Sequence, residues 1–303
     1  MSYPKYIIPS NLSEPQIEAD ISNYFGLVSA QNTRRFRLIT TNEQLTGADK
    51  KFVGNNGFLI YLQFKASEGM KTVNSYPVSS RKNRSKREDI REYRHNQKIN
   101  ENHILYFKLR KQAKTAIDLQ HNILLKHANK VQSQAMYVAN LELDKDKYYD
   151  KQYRSAQGIE HPFYWLEHPR VPFEQLTSLI GMTPFLKEHI SIVPDKAVTD
   201  DNHYYSYSPL GENVIFHSPY KVNEHALKLS DRLKIILNEM YYESKNEFSI
   251  QSLSEYVNEL SEQIFVDKNE KTSFNDNNPI DTILDYGRRL YEEYNILQIL
   301  IIR

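Results

Sequence analysis

The stretch that decides the fold is TGADKKFVGNNGFLIYLQFK, residues 46–65. Aromatic, β-branched and other apolar residues predict one β-strand over 46–53 and a second over 58–65. The Gly54-Asn55-Asn56-Gly57 segment between them is typical of a tight turn. The sequence therefore predicts a β-hairpin whose two strands lie side by side in one sheet.

Three polar side chains converge in this hairpin. Alternation along the second strand places Gln63 and Lys65 on the same face of the sheet. Folding the chain about Asn55-Asn56 sets residue 49 opposite residue 62, so Asp49 lies beside Gln63 to within one residue of register. An acid, an amide oxygen and an ammonium group suit a divalent cation and phosphodiester hydrolysis. The alternative is that an amphipathic strand ends in ordinary polar residues and that the Asp belongs to a turn.

The segment SEPQIEADISNYF, residues 13–25, predicts a helix, because Ser13 can cap its start and apolar residues recur at helical spacing. Glu14 and Glu18 fall within the apolar arc that Ile17 and Ile21 define. If this helix packs across the hairpin sheet, one of the two carboxylates can join Gln63 and Lys65. Negative charge is also favoured near a helix N-terminus without any function.

The rest of the N-terminal half predicts a mixed sheet. Strands are expected at 34–41, 103–110 and 135–143, with a helix at 112–130 between the last two. A strand, a helix and a strand in that order favour a βαβ-like crossover with parallel pairing. The polar, basic segment 67–101 has no apolar period and is interpreted as a loop or a helical excursion.

The C-terminal part predicts short strands followed by helices. Strands are expected at 189–194 and in the aromatic segment 203–222. Helical patterns follow near 224–246, 249–265 and 279–297. We therefore predict a domain of residues 1–223 and a helical C-terminal region, 224–303.

Composition excludes several classes of protein. The chain has 39 Lys and Arg, 38 Asp and Glu, and no Cys, which removes disulfides, cysteine-based zinc sites and thiol nucleophiles. It contains neither a phosphate-binding glycine loop nor a Gly-x-Ser-x-Gly elbow. The N-terminal residues lack a signal-peptide pattern, and the longest apolar stretch, ILQILIIR at 296–303, is too short for a bilayer. We expect no membrane role and a cytoplasmic location.

Positive charge is concentrated in the middle of the chain. Residues 81–130 hold 14 Lys and Arg against 5 Asp and Glu, whereas residues 226–303 hold 9 against 14. Such an excess can lie along the phosphates of a nucleic acid, or it can be a solvated surface that binds nothing. The candidate backbone-contacting residues are Arg81, Lys82, Arg84, Lys86, Arg87 and Lys111.

The polar residues of the first helix and the hairpin follow the order of a known family. Glu18 on a helix, then Gly47-Ala48-Asp49, then Gln63-Phe64-Lys65 resemble the PD-(D/E)xK nuclease superfamily, over about residues 14–143. The resemblance implies an α/β fold, with a restriction-endonuclease-like mixed sheet flanked by helices. It also implies that Asp49, Gln63 and Glu18 bind Mg²⁺ or Mn²⁺ and that Lys65 is the catalytic lysine. The expected activity is cleavage of DNA, and many proteins with this core act in prokaryotic restriction or phage defence.

One position departs from that pattern. Gln63 stands where the superfamily usually has an acid, and a neutral amide oxygen should lower the affinity for metal, although some branches carry Gln at this place. Glu43 could supply a further carboxylate, and Gln120 and His121 could face the site from the following helix. Each of these three is otherwise an ordinary solvated residue.

Three functions stay open on these residues. The first is a Mg²⁺-dependent nuclease. The second is a catalytically inactive module of the same core that binds nucleic acid or a partner protein. In the third, the C-terminal helices assemble the chain into a structural homo-oligomer. The sequence does not indicate whether DNA or RNA is bound, because no base-reading helix is evident.

Overall fold

The structure is a computed structural model of the 303-residue chain. It describes residues 4–31, 36–39, 56–79, 84–112, 114, 116–155, 184–217, 220–222, 226–239, 248–265 and 278–302. None of the helices in these ranges is long and apolar enough to cross a membrane.

Thirteen strands and eight helices lie in the described ranges, so the fold is mixed α/β, as predicted. The strands are β1 (Ile7–Ile8), β2 (Phe36–Ile39), β3 (Asn56–Lys65), β4 (Glu68–Lys71), β5 (His103–Lys108), β6 (Ser133–Asn140), β7 (His189–Ile192), β8 (Tyr204–Tyr207), β9 (Ile215–His217), β10 (Tyr220–Val222), β11 (Leu227–Lys228), β12 (Phe248–Ser249) and β13 (Leu297–Ile302). The helices are α1 (Glu14–Gln31), α2 (Lys86–Asn96), α3 (Gln120–Ala128), α4 (Lys145–Ser155), α5 (Pro184–Lys187), α6 (Leu229–Asn238), α7 (Ile250–Ile264) and α8 (Pro279–Tyr294).

The central sheet contains β3, the strand that carries Gln63 and Lys65. Its order is β11-β7-β6-β3-β13-β2, and β12 pairs with the start of β3. Leu62 has Met136 of β6 as its parallel partner on one side and Leu297 of β13 as its antiparallel partner on the other. Described strands therefore occupy both places beside Leu62, so the predicted hairpin register, which paired residue 62 with residue 49, is wrong. Residues 46–53 themselves lie outside the described ranges.

The second sheet has the order β1-β4-β5-β8-β9-β10, and all its described pairs are antiparallel. Because β5 belongs to this sheet and β6 to the central one, the predicted βαβ crossover from 103–110 to 135–143 within one sheet is wrong. The strand-helix-strand order is correct, but local periodicity does not specify which sheet a strand joins. Parallel pairing occurs instead between β3 and β6. The intervening helix is also shorter than predicted, since α3 begins at Gln120.

Three apolar clusters hold these layers together. The largest lies between the two sheets, where Tyr61 of β3 and Phe107 of β5 share a core with α3, α7 and α8. A second cluster covers the opposite face of the central sheet and includes residues of α1, α4 and α6. The third lies between the second sheet and Ile90 of α2. Both faces of β3 are therefore covered, and each of its side chains from Gly57 to Lys65 is buried.

Helix α1 forms where it was predicted, with Ser13 Oγ accepting a hydrogen bond from the Gln16 backbone N–H at 3.4 Å. Ile17 and Ile21 are fully buried in the second cluster, together with Phe64. That cluster lies on the face of the central sheet opposite Gln63 and Lys65. The helix packs there because the even-numbered side chains of β3 from Phe58 to Phe64 are apolar, and they match its apolar stripe.

The basic segment 67–101 is more ordered than a loop. The helical interpretation is confirmed for α2, whereas β4 was missed. Ser85 starts α2 with a capping box: its Oγ accepts from the Glu88 backbone N–H at 3.4 Å, and Glu88 Oε2 accepts from the Ser85 N–H at 3.3 Å. The sequence of this segment shows no helical spacing of apolar residues, because the buried side of α2 carries Arg91 and Arg94 as well as Ile90.

The C-terminal region is not purely helical, which corrects the prediction for 224–303. Helices α6, α7 and α8 lie within the expected segments, but they are followed by β13, which lies in the interior of the central sheet. Residues of α7 and α8 share the core between the sheets with Leu59 and Tyr61. Among the described residues, this region therefore completes the main core. The strands predicted at 189–194 and within 203–222 are confirmed as β7 to β10.

Gly287 allows α8 to approach β13 closely. A Cβ at this position would lie 2.8 Å from Nε2 of Gln298, which donates a hydrogen bond to the Ile283 carbonyl at 2.9 Å. We expect Gly287→Ala to lower the free energy of unfolding by about 1–3 kcal/mol, although Ala otherwise favours a helix. Urea unfolding measures the loss. The double variant with Gln298→Ala should recover part of it, and no recovery would refute the close-approach explanation.

Candidate functional site

Lys65 lies at the end of β3 with its ammonium group almost fully enclosed. Only 2% of the residue is exposed, and its Nζ donates a hydrogen bond to Oε1 of Glu14 at 3.4 Å. Burial lowers the pKa of Lys65, Glu14 opposes this effect, and the charge of Arg110 adds to it. The Glu14 side chain is 37% exposed. The pair therefore joins an enclosed amine with a lowered pKa to a carboxylate that reaches solvent.

Gln63 is fully buried on the same face of β3 as Lys65. Its Nε2 donates to the Phe64 carbonyl at 3.1 Å, and its Oε1 has no hydrogen-bond partner among the described residues. A buried acceptor without a partner costs free energy, so such an atom requires an explanation. The Gln63 oxygen is a candidate ligand for a cation or a bound water.

Tyr137 of β6 is the cross-strand neighbour of Gln63 in the parallel pair. Its hydroxyl lies 2.9 Å from Nδ1 of His121, and Nε2 of His121 lies 2.8 Å from the Lys196 carbonyl. Because a carbonyl can only accept, Nε2 carries the proton and Tyr137 donates to Nδ1. Burial lowers the pKa of His121 to about 4, so the ring is neutral near pH 7. His121 therefore reaches the region of Gln63 only through Tyr137.

Gln120, the neighbouring candidate, lies under the end of α8. Its Nε2 donates to the Tyr294 carbonyl, and the side chain is buried. The described structure thus places Gln120 against the C-terminal helix and gives it no contact with Gln63 or Lys65.

Glu18 is brought to a different partner from the one predicted. It is half-buried, and its carboxylate accepts a hydrogen bond from the hydroxyl of Tyr291 in α8. Burial raises the pKa of Glu18, and the nearby charge of Glu14 raises it further. Among the described residues, the acid that contacts Lys65 is Glu14, which lies one helical turn before Glu18. The sequence left Glu14 open between a charge favoured at a helix N-terminus and a functional acid, and its position in the apolar arc of α1 was the signal for the second.

Four of the predicted residues lie outside the described ranges. They are Asp49, Glu43, Arg81 and Lys82. The resemblance-derived role of Asp49 as a metal ligand therefore stays a prediction. In the part of the chain that the structure describes, no three His, Asp or Glu side chains form a metal-binding group.

The predicted basic surface is partly neutralised by neighbouring acids. Arg84 pairs with Glu92, and Arg87 donates to the Tyr106 hydroxyl at 3.3 Å and lies 3.9 Å from Glu68. Lys86 is partly exposed on α2, and Lys111 is exposed beyond β5.

Two arginines of the basic segment have a structural role that the charge count did not reveal. Arg94 is 1% exposed and makes a bidentate ion pair with Glu101, at 2.6 Å and 2.7 Å. Arg91 donates to the backbone carbonyls of Lys71, Thr72 and Tyr76. Their positive charges are committed inside the fold and are not offered to a ligand.

The end of β3 and the start of α1 bring three polar groups of different chemistry close together. They are an enclosed amine, a partly exposed carboxylate and an amide oxygen without a partner among the described residues. An amine with a lowered pKa can orient or deprotonate a water, and the oxygens can hold a hard cation. No protein-family model, curated protein or solved structure matches this chain.

Proposed function

We propose that the chain is a metal-dependent nuclease that hydrolyses phosphodiester bonds of DNA. The observation that carries the proposal is the Lys65 amine, enclosed at the end of β3 and 3.4 Å from the Glu14 carboxylate. A buried lysine costs stability, and an enclosed amine beside a carboxylate is typical of a catalytic site. In this proposal the mixed α/β fold is of the restriction-endonuclease-like type and the protein acts in the cytoplasm, in restriction or phage defence.

The residues present fit Mg²⁺ or Mn²⁺ in part. Gln63 offers an unpartnered carbonyl oxygen, Glu14 offers a carboxylate, and Asp49 is the predicted third ligand. When bound, the ion would lower the pKa of a water and offset negative charge on the phosphorus centre. The proposal replaces Glu18 by Glu14 as the accessory acid, because Glu18 binds Tyr291.

The role of Lys65 follows from its surroundings. Its ammonium group can donate to a phosphate oxygen and offset the charge that develops there. Because the pKa of Lys65 is lowered, a larger fraction of it is neutral amine than for an exposed lysine. The neutral amine can accept a proton from the attacking water. Both roles require Lys65 to stay close to Glu14. The end of the strand is held in place by Ser67, whose backbone N–H donates a hydrogen bond to Asn140 Oδ1 at 2.8 Å.

Purified protein incubated with supercoiled plasmid and Mg²⁺ or Mn²⁺ tests the proposal. We expect nicked and linear DNA, no product in EDTA, and loss of product in Asp49→Ala. No cleavage by the wild type, with DNA still bound, would favour the inactive module, which the neutral Gln63 and the absence of an acidic triad among the described residues support.

Matched substitutions distinguish the roles of the two acids of α1, Glu14 and Glu18. We expect Glu14→Gln to reduce the cleavage rate about tenfold or more, because this acid contacts Lys65, and Glu18→Gln to have a smaller effect. Initial rates of plasmid nicking over a series of metal concentrations measure the difference. The opposite order of effects would return the role of accessory ligand to Glu18.

A further inference from the structure

Two polar side chains are neighbours on the face of the central sheet that points toward the second sheet. Gln63 of β3 and Tyr137 of β6 are partners in the parallel strand pair, and each is at most 1% exposed. The Tyr137 hydroxyl can donate a hydrogen bond, and Gln63 Oε1 is an acceptor with no partner among the residues that the structure describes. Because buried polar groups usually find partners, a donor and an acceptor placed in this way would be expected to bind each other.

The proton of the Tyr137 hydroxyl is instead committed to His121 of α3. Nε2 of His121 lies 2.8 Å from the Lys196 carbonyl, so this nitrogen carries the ring proton and Nδ1 is an acceptor. Tyr137, whose hydroxyl lies 2.9 Å from Nδ1, therefore donates its only hydroxyl proton to His121. With the opposite tautomer Nδ1 would donate to Tyr137, and the hydroxyl proton would be free for another acceptor.

The ring of His121 is held in this orientation by the groups around it. It stacks on Phe216 of β9, with ring centroids 5.6 Å apart and an interplanar angle of 14°, and on Tyr137 at 5.8 Å and 19°. Only 2% of His121 is exposed. Rotation of the ring would disturb both stacks and both hydrogen bonds, so the tautomer and the direction of the Tyr137 proton are fixed together.

We propose that His121 is a positioning residue of the candidate metal site, because it takes up the proton of the Tyr137 hydroxyl and thereby leaves Oε1 of Gln63 available to a divalent cation. The inference rests on the cation site of the proposed function. His121 acts through Tyr137 and is assigned no contact with the ion or with DNA. The carbonyl of Lys196 contributes by fixing the tautomer.

Loss of the acceptor on His121 would leave Tyr137 with an unpaired buried donor. Such a donor costs free energy, and Gln63 Oε1 on the adjacent strand is an acceptor that it can take. A cation would then have to displace the hydroxyl before it could bind Gln63. A competing hydrogen bond that lowers metal affinity about tenfold corresponds to about 1.4 kcal/mol, which is within the usual range for one hydrogen bond.

Binding of Mn²⁺ to the whole chain without DNA, measured from the electron paramagnetic resonance signal of the free ion, tests this role. His121→Phe keeps an aromatic ring in the stack but removes the acceptor, and it should raise the Kd for Mn²⁺ about tenfold. The double variant His121→Phe with Tyr137→Phe also lacks the competing hydroxyl and should return the Kd to within about twofold of the wild type. His121→Gln, which leaves no acceptor at the place of Nδ1, should act like His121→Phe and replaces it if that variant does not fold.

Two matched controls separate the hydrogen bond from packing. His121→Asn has a side-chain oxygen that can occupy the place of Nδ1, so it should keep the wild-type Kd. His203→Phe, at a histidine 6.1 Å from the same Phe216 ring, should also leave the Kd unchanged. A double variant that binds Mn²⁺ as weakly as His121→Phe alone would show that His121 only packs in the core, and the inference would be overturned.

The same measurements distinguish this inference from the proposed nuclease. If the wild type and the variants bind Mn²⁺ with the expected pattern and the wild type cleaves no DNA, the nuclease proposal fails and the role of His121 stands. If the wild type cleaves DNA while His121→Phe keeps the wild-type Kd, the role of His121 fails and the nuclease stands. Absence of Mn²⁺ binding by the wild type would overturn both.

Discussion

Lys65→Met is expected to abolish metal-dependent cleavage of DNA, by at least about a hundredfold, and to leave the protein as stable as the wild type or more so. The activity falls because the only amine within reach of the Glu14 carboxylate in the described site is removed. The stability is kept because methionine has a similar length, and burying it avoids the desolvation of an ammonium group. Glu14 is left without its partner, but its partial exposure allows water to solvate it.

Plasmid cleavage and urea unfolding of the same preparation measure both effects. The matched control is Lys71→Met, an exposed lysine on β4, which should change neither. Cleavage that survives Lys65→Met would exclude Lys65 from the chemistry. A large loss of stability without a preferential loss of activity would assign Lys65 to the structure alone.

Acidification is expected to destabilise the protein steeply below about pH 6, because four buried histidines cannot be charged inside the fold. Burial lowers the pKa of His121 and His189 to about 4 and that of His127 and His217 to about 3. The unfolded value is about 6.5. As the pH falls below that value, the unfolded chain takes up these protons first, so stability is lost between about pH 6.5 and 4. The slope from four histidines is about 5 kcal/mol per pH unit, which is large against a typical stability of about 5–15 kcal/mol.

Two carboxyls act against this slope. Burial raises the pKa of Glu18 and Asp20, so the folded chain binds their protons more readily than the unfolded chain. The observed slope should therefore be somewhat below that of four histidines. Urea unfolding at a series of pH values from about 7 to 5 measures it. His121→Gln should reduce the slope of the unfolding free energy against pH by the contribution of about one proton. His95→Gln, at an exposed position on α2, should leave that slope unchanged. A stability independent of pH in this range would contradict the prediction.

The local structure near β3 was largely predictable, whereas the pairing around it was not. Alternation in FLIYLQFK correctly placed Gln63 and Lys65 on one face, since side-chain direction in a strand depends only on residue parity. The neighbour of β3 could not be predicted in the same way, because β13 comes from residues 297–302 and long-range pairing has no local signal. The segment ILQILIIR is too short for a membrane span, and its β-branched residues are typical of an interior strand.

The site was predictable in its residue types but not in all its contacts. Strand parity and helix periodicity identified Lys65, Gln63 and a carboxylate from α1. The choice between Glu14 and Glu18 depended on which face of the sheet α1 covers. Since α1 packs on the apolar face, the contact with Lys65 at the end of β3 is made from its first turn, where Glu14 lies. The charge count likewise could not show that Arg91 and Arg94 are buried.

The insertion of β13 between β3 and β2 also affects how the chain is made. On the ribosome, residues 56–65 emerge long before residues 297–302, so the edge of β3 that pairs with β13 stays open during the synthesis of the residues between them. An open apolar edge is a template for intermolecular association, and contacts of such high sequence separation slow folding. We therefore expect the chain to be most prone to association before residues 297–302 are available to pair with β3.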